Sequence, residues 1–372
     1  MRSAFSIVSA LLLLGIPAVF CAQPSARAAT ASPAPALSTP SATPSPTPSE
    51  KAIVNSMNSN DLQQAIQILK SNYINPDALN ETDLNRALLS GILQRLGTGV
   101  IIMPEHTNDS PAPACPFYGE LLDGHVGYLR LGALTAPNLK SMDTSLQTFT
   151  SKKVDAIVVD LRDSPATNDF AVAADFAKRF VAKGKLLFTL RKPTAKQERT
   201  FLSEADPAYH GLLIVLSDRE TAGPAEAIAG VLRFYTKALV IGEPSAGRAV
   251  EYSDLPLNGG RTLRVAVAEA VLPEAKQLFP GGIKPDIPVE MSPDDKRLIF
   301  QESLQRGMGP FVFENERPHL NEAALLSGRN PEIEAMEASQ RRGRNSERPL
   351  PRDPVLQRAV DVVTSVSIYQ QR

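Results

Sequence analysis

Nucleophilic chemistry requires a hydroxyl or thiol beside a base, and this sequence offers few such pairs. Ser217 and Ser245 have no lysine or histidine close by in sequence. Thr221 precedes a predicted helix that begins at Pro224, where its hydroxyl is better suited to capping than to attack. Cys115 stands among prolines without a neighbouring histidine motif, which is typical of an inert thiol. These residues identify no nucleophile by themselves.

The remaining residue types argue against metal, cofactor and polyanion binding. The four histidines are scattered through loop-like sequence, at His106, His125, His210 and His319. No phosphate-binding loop follows a strand, since the paired glycines at 259–260 and 281–282 are typical of turns. A formal net charge of -1 over 372 residues is unsuited to a general polyanion binder. We therefore expect no cofactor, no metal and no nucleic-acid partner.

The N-terminus is typical of an export signal followed by a spacer. Arg2 precedes a short apolar stretch over residues 7–20, and residues 26–28 offer a small-x-small cleavage site. Residues 1–28 are predicted to be a cleaved signal peptide, with cleavage after Cys21 or an uncleaved anchor helix as alternatives. Residues 29–50 are rich in proline, alanine, serine and threonine, which predicts a disordered linker. We therefore expect the protein to be exported to the periplasm or cell envelope.

Two amphipathic helices are predicted before the main domain. Leu62, Ile66 and Leu69 recur at helical spacing, and a second helix over about residues 82–96 is stopped by Gly97. We expect these helices to form a hairpin within residues 51–124. Residues 98–124 contain four prolines and little periodicity, so they are predicted to be a loop.

Strands alternate with helices from residue 125 onward, which predicts an α/β layered core. The predicted strands cover residues 126–131, 154–160, 186–190, 212–216, 238–242 and 262–268. Helices are predicted over residues 173–180 and 223–236. A closing helix is expected from Asp353-Pro354 to Ile368, and residues 293–352 are predicted to wrap the domain in extended form.

Five short strings occur in the order found in one protease family. They are the entry strand Val126–Leu131, Asp160-Leu161-Arg162, Thr221–Glu226, Gly242–Arg248 and Gly281–Ile287. Together with the predicted hairpin and closing helix, they resemble the S41 tail-specific, or C-terminal processing, serine proteases. The resemblance covers about residues 60–290 and implies a crotonase-like α/β domain over residues 125–290, followed by a C-terminal extension over residues 291–372.

The resemblance places the catalytic serine of the family at Gly223 and its lysine at Arg248. The separation, 248 minus 223 or 25 residues, fits the family. Glycine has no side chain with which to attack, and arginine stays protonated, so neither residue can perform the chemistry of the family. A PDZ module, which many members insert before the entry strand, is also missing, since only about 25 residues lie there.

The oxyanion loop of the family is altered as well. Its Asn-Asn-Pro-Gly-Gly string corresponds here to Asp163-Ser164-Pro165-Ala166-Thr167. Both glycines are lost, and Asp163 brings a negative charge toward the place where an oxyanion would form.

We therefore expect a catalytically inactive pseudoprotease that binds a polypeptide or a protein C-terminus. Arg248, Tyr252 and Glu226 are the candidate peptide-binding residues, with a salt bridge from Arg248 to Glu226, Glu251 or Asp163 as the alternative. Two other functions stay open: residual serine-type peptidase activity through a non-standard nucleophile, and a structural envelope protein with a vestigial cleft. The sequence leaves open whether the chain is an enzyme and whether it forms a homo-oligomer.

Overall fold

The computed structural model describes residues 49–104, 116–165, 167–313 and 350–370, which form two compact units. The first unit, residues 1–79, contains α1 (Glu50–Ser56), α2 (Ser59–Asn72) and a 3-10 turn (Pro76–Leu79). The predicted signal peptide and nearly all of the predicted linker lie outside the described residues. Within the described ranges, no helix is long and apolar enough to cross a bilayer.

The second unit, residues 80–372, begins with α3 (Glu81–Leu96), which Asn80 caps and Gly97 ends. Both predicted N-terminal helices therefore exist, although they belong to different units. The predicted loop over residues 98–124 is wrong in part, because β1 (Val100–Met103) and β2 (Tyr118–Leu122) form there. Val100 pairs with Val265, far along the chain, so local periodicity could not show this strand. Residues 105–115, with Cys115, are outside the described ranges.

A mainly parallel sheet forms the centre of the second unit, in the order β12-β8-β7-β4-β3-β2. Its strands are β2, β3 (Val126–Arg130), β4 (Ala156–Asp160), β7 (Leu212–Ser217), β8 (Leu239–Gly242) and β12 (Ile287–Pro288). Only β2 runs antiparallel to its neighbour. The strands β3 and β4 are buried along their whole length, which explains their continuous apolar sequence.

Alternate residues of β4 enter two different core layers. Ile157 and Val159 pack in the layer that includes residues of α4 (Ala136–Lys152), α5 (Phe170–Ala177) and α6 (Pro224–Thr236). Val158 points to the opposite layer, which α7 (Pro293–Arg306), α8 (Gly309–Val312) and α9 (Pro354–Gln370) cover.

The second sheet is built around one long strand. Its members are β1, β5 (Leu186–Lys192), β6 (Gln197–Leu202), β9 (Val250–Pro256), β10 (Thr262–Leu272) and β11 (Lys276–Gln277). β10 is the central strand, and β1, β5, β9 and β11 all pair with it. The sequence predicted neither β6 nor β9.

The C-terminal extension is helical where the structure describes it. The extended wrapping predicted from residue 293 is wrong for α7 and α8, because α7 buries Lys296, Ile299, Phe300 and Ser303 at helical spacing. The closing helix is confirmed as α9. Its first turn is capped by Asp353, whose Oδ1 accepts hydrogen bonds from the backbone N–H groups of Val355 and Leu356. Residues 314–349 lie outside the described ranges.

Candidate functional site

Gly223 lies between β7 and α6, in a backbone conformation that side chains rarely adopt. Its φ is +60° and its ψ is -125°. A Cβ atom added there would lie 3.4 Å from the carbonyl oxygen of Thr167 and 3.7 Å from that of Arg248, which are ordinary contacts. A side chain at position 223 therefore has space, but its backbone would be strained by about 1–3 kcal/mol.

Glu226 is fully buried and joins the start of α6 to the segment that carries Arg248. Its carboxylate accepts four hydrogen bonds: from the N–H groups of Gly223 (3.1 Å), Gly247 (2.6 Å) and Arg248 (2.7 Å), and from the Ser245 hydroxyl (2.5 Å). Burial raises the pKa of Glu226 above its usual value, although these hydrogen bonds oppose the increase. Both carboxylate oxygens are thus used in hydrogen bonds within the protein, so Glu226 offers little acceptor capacity to a ligand.

Arg248 presents a side chain that no described acid neutralises. Glu226 accepts a hydrogen bond from the backbone of Arg248, not from its guanidinium group. Glu251 lies 3.6 Å from Arg199 instead. Within the described ranges, Nε of Arg248 is buried without a hydrogen-bond partner, and the guanidinium group forms no ion pair. The salt bridges expected as the alternative role of Arg248 are therefore not formed there.

Gly223 and Arg248 line the same pocket, which has a volume of about 160 Å³. Its lining consists of Ile101, Thr167, Asn168, Gly223, Arg248, Val250, Tyr252 and Arg264. Arg264 is held by a bidentate pair with Asp254, at 2.7 and 2.8 Å. The unneutralised cation in the pocket is therefore Arg248, so the pocket favours a negatively charged or strongly hydrogen-bond-accepting group.

One wall of the pocket is fixed by Asn168, which follows the predicted oxyanion loop. The Asn168 side chain accepts a hydrogen bond from Tyr252 N and donates one to Tyr252 O, both at 3.1 Å. Within the loop, Thr167 lines the pocket, Ser164 is buried without a partner for its hydroxyl among the described residues, and Ala166 lies outside them. Asn168, Arg264 and Ile101 were missed by sequence reasoning, since they converge only through the second sheet.

The candidate hydroxyls are all used in structural hydrogen bonds. Thr221 does not cap α6 as predicted, since its Oγ1 donates to the carbonyl oxygen of Leu161 and Gly223 is the capping residue. Ser217 donates to the carbonyl oxygen of Glu243 at 2.9 Å. Ser245 accepts a hydrogen bond from Ile283 N at 2.7 Å while it contacts Glu226. None of these three hydroxyls lines the pocket beside Gly223.

Comparison with known proteins identifies the domain that carries this pocket. Residues 125–289 match the family described as peptidase family S41. This part of the chain belongs to peptidase family S41. The S41 region has the α/β fold described above and ends before α7, so α7, α8 and α9 lie outside the matched range.

The S41 region is similar to several processing proteases. A carboxyl-terminal-processing protease from Synechocystis is 27% identical over 165 residues, which cover 44% of this chain and 38% of that protein. A carboxy-terminal-processing protease from Bartonella bacilliformis is 28% identical over 188 residues, 49% of this chain and 43% of that protein. The chain thus spans less than half of either relative. Among solved structures, a photosystem II D1 C-terminal processing protease has a TM-score of 0.39 and 20% identity, and the match covers 52% of this chain and 48% of that one.

Proposed function

We propose that this S41 homologue binds polypeptide C-termini without cleaving them. The observation that carries the proposal is that Arg248 lines the pocket beside Gly223, while its guanidinium group forms no ion pair with a described acid. Position 223 supplies no nucleophilic atom, and an arginine cannot accept a proton from one. The pocket therefore retains the place of a catalytic site while it lacks both reacting groups.

A terminal carboxylate is the peptide group that matches this pocket best. A guanidinium group presents parallel N–H donors that pair with both oxygens of a carboxylate, which a main-chain carbonyl cannot do. Tyr252 lies in the same pocket and provides an apolar ring surface beside the charge. Export to the cell envelope, where the partner would be an exported protein, remains part of the proposal and depends on the N-terminal signal motif.

Replacing Arg248 by alanine is expected to weaken peptide binding by about 10- to 100-fold, the range for losing a charge-assisted hydrogen bond. Fluorescence anisotropy would measure this with fluorescein-labelled decapeptides that end in alanine, leucine or lysine. Each peptide would be tested as the free acid and as the C-terminal amide. The wild-type chain should prefer the free acid, and Arg248→Ala should remove that preference.

Arg306→Met is a matched control, because the pair that Arg306 forms among the described residues, with Glu302 on α7, is exposed. It should bind the peptides like wild type. Equal affinity of Arg248→Ala and wild type for every free acid would contradict the assignment. If the wild-type chain binds none of the peptides, the structural envelope protein is the better description.

Restoring the family residues is expected not to restore proteolysis. In Gly223→Ser with Arg248→Lys, the serine would sit at a strained φ of +60°. The new lysine would lie close to the buried Glu226 carboxylate, which favours its protonated form and so denies the serine a base. Losing one oxyanion donor costs about 100- to 1,000-fold in rate, and the loop over residues 163–167 would stay unchanged.

Hydrolysis of fluorescein-labelled casein would test this double variant, with thermal melting to show that it is folded. Its rate should not exceed that of wild type, and a serine-directed phosphonate should label neither protein. Rapid casein cleavage by the double variant would show that the loop and pocket remain competent. Labelling of the wild-type chain would instead favour residual serine-type peptidase activity.

A further inference from the structure

Lys296 is a buried cation that joins the C-terminal extension to the loops around the pocket. It lies on α7, beyond the S41 region, and is only 5% exposed. Its ammonium group donates hydrogen bonds to Asp218 Oδ2, to Glu220 Oε2 at 2.7 Å and to the carbonyl oxygen of Arg162 at 3.1 Å. Because those carboxylates surround it, the pKa of Lys296 stays above its usual value in spite of burial.

A second buried pair links the same region to α9. The Arg162 side chain donates to both oxygens of Asp353, at 3.0 and 2.7 Å, and to Asp160 at 2.6 Å. All three side chains are at most 1% exposed. Asp353 also caps the first turn of α9, so this pair connects the start of that helix to the end of β4.

These contacts are made where the two loops of the pocket begin. The loop that supplies Thr167 and Asn168 to the pocket starts directly after Arg162. The loop that leads to Gly223 starts at Asp218, whose Oδ1 accepts a hydrogen bond from Thr221 N at 3.0 Å. One ammonium group therefore binds the residue just before the first loop and the first residue of the second loop, and both loops supply lining residues to the pocket.

The residues that attach α7 to the sheet differ from Lys296, which contacts the loops. The helix is held on the sheet by Ile299 and Phe300, which pack in the apolar layer. Loss of the Lys296 charge leaves that apolar contact in place, whereas it removes the shared partner of Asp218 and the Arg162 carbonyl. The expected consequence is local loosening of both loops rather than detachment of the helix.

We propose that Lys296 and Asp353, which lie outside the S41 region, are positioning residues for the pocket beside Gly223. They act through the two loops and do not touch the ligand. The part of this inference that concerns ligand affinity rests on the proposed peptide-binding function. The part that concerns loop geometry is independent of that function.

Lys296→Met tests the proposal, with Lys296→Arg as the conservative variant. Hydrogen-exchange mass spectrometry without ligand should show exchange about tenfold faster in residues 163–169 and 218–223 for Lys296→Met. Peptides from β3 and β4 should exchange at the wild-type rate. Affinity for the free-acid decapeptides should fall about tenfold, and Lys296→Arg should recover most of both effects. Arg297→Met is the control, because Arg297 forms an exposed pair with Asp294 on the same helix.

The two readouts distinguish failure of this inference from failure of the proposed function. Wild-type exchange in both loops of Lys296→Met would overturn the positioning role, whether or not peptides bind. Faster exchange in a protein that binds no peptide would support the positioning role and contradict the peptide-binding function. If Lys296→Met does not fold, Glu220→Gln replaces it, since it removes one ionic contact from the ammonium group. The same two loops should then exchange about two- to threefold faster, and unchanged exchange would overturn the proposal.

Discussion

Glu226→Ala is expected to lower the free energy of unfolding by about 3–5 kcal/mol. The substitution removes the acceptor of four hydrogen bonds at a position with no solvent exposure. Three of the donors are backbone N–H groups, and each would lose the acceptor that the folded protein provides for it. Urea unfolding followed by circular dichroism would measure the change.

Glu226→Gln sharpens this prediction, because it keeps the shape of the side chain. Each carboxylate oxygen accepts two hydrogen bonds, so the amide nitrogen of glutamine would face two donors. We expect a loss of about 2–3 kcal/mol. Glu251→Gln is the control, since its pair with Arg199 is partly exposed and should contribute about 1 kcal/mol or less. A stability of Glu226→Gln equal to that of the control would show that the carboxylate is not the acceptor described above.

Arg162→Met is expected to cost about 3–5 kcal/mol, the usual range for breaking a buried ion pair from one side. The variant leaves Asp160 and Asp353 buried without their cation. Arg306→Met, which breaks an exposed pair, should cost no more than about 1 kcal/mol. Equal losses in the two variants, measured by urea unfolding at pH 7, would contradict the importance of the buried network.

The pH dependence of stability gives an independent check of the same network. Burial alone would raise the pKa of Asp160, but the adjacent Arg162 outweighs it and holds the pKa below its ordinary value. A lowered pKa means that this stabilisation is complete above the unfolded pKa of about 3.9 and is lost as the pH falls through the folded value. The difference in stability between wild type and Arg162→Met should therefore shrink as the pH is lowered from 7 toward 3. A constant difference would show that Asp160 is not the charge that Arg162 compensates.

Four strands of the mainly parallel sheet, β3, β4, β7 and β8, were predictable from the sequence because they are buried along nearly their whole length. The apolar run at residues 154–160 predicted β4, and the run at 212–216 predicted β7. A strand between two core layers must be apolar at every position, so the signal is local and strong. The cap of α9 was equally local, since an aspartate before a proline favours a helix start wherever it occurs.

The second sheet and α7 could not be predicted in the same way. β6 has the polar sequence Gln-Glu-Arg-Thr-Phe-Leu and is largely exposed, so it lacks an apolar pattern. It becomes a strand because β5 offers it backbone partners. α7 is rich in polar and charged residues, and they obscured its narrow buried stripe in the sequence.

For the candidate site too, some features were predictable from the sequence and others required the tertiary structure. The sequence by itself determined which residue types stand at positions 223 and 248, and hence that neither a hydroxyl nor a neutral base is present there. Only the tertiary structure decided that Glu226 binds the backbone of Arg248 rather than its side chain, and that Arg248 lines the pocket without an ion pair to a described acid. The reason is that residue chemistry is a local property, whereas the pairing of a buried charge depends on which distant segments the fold brings within hydrogen-bonding distance.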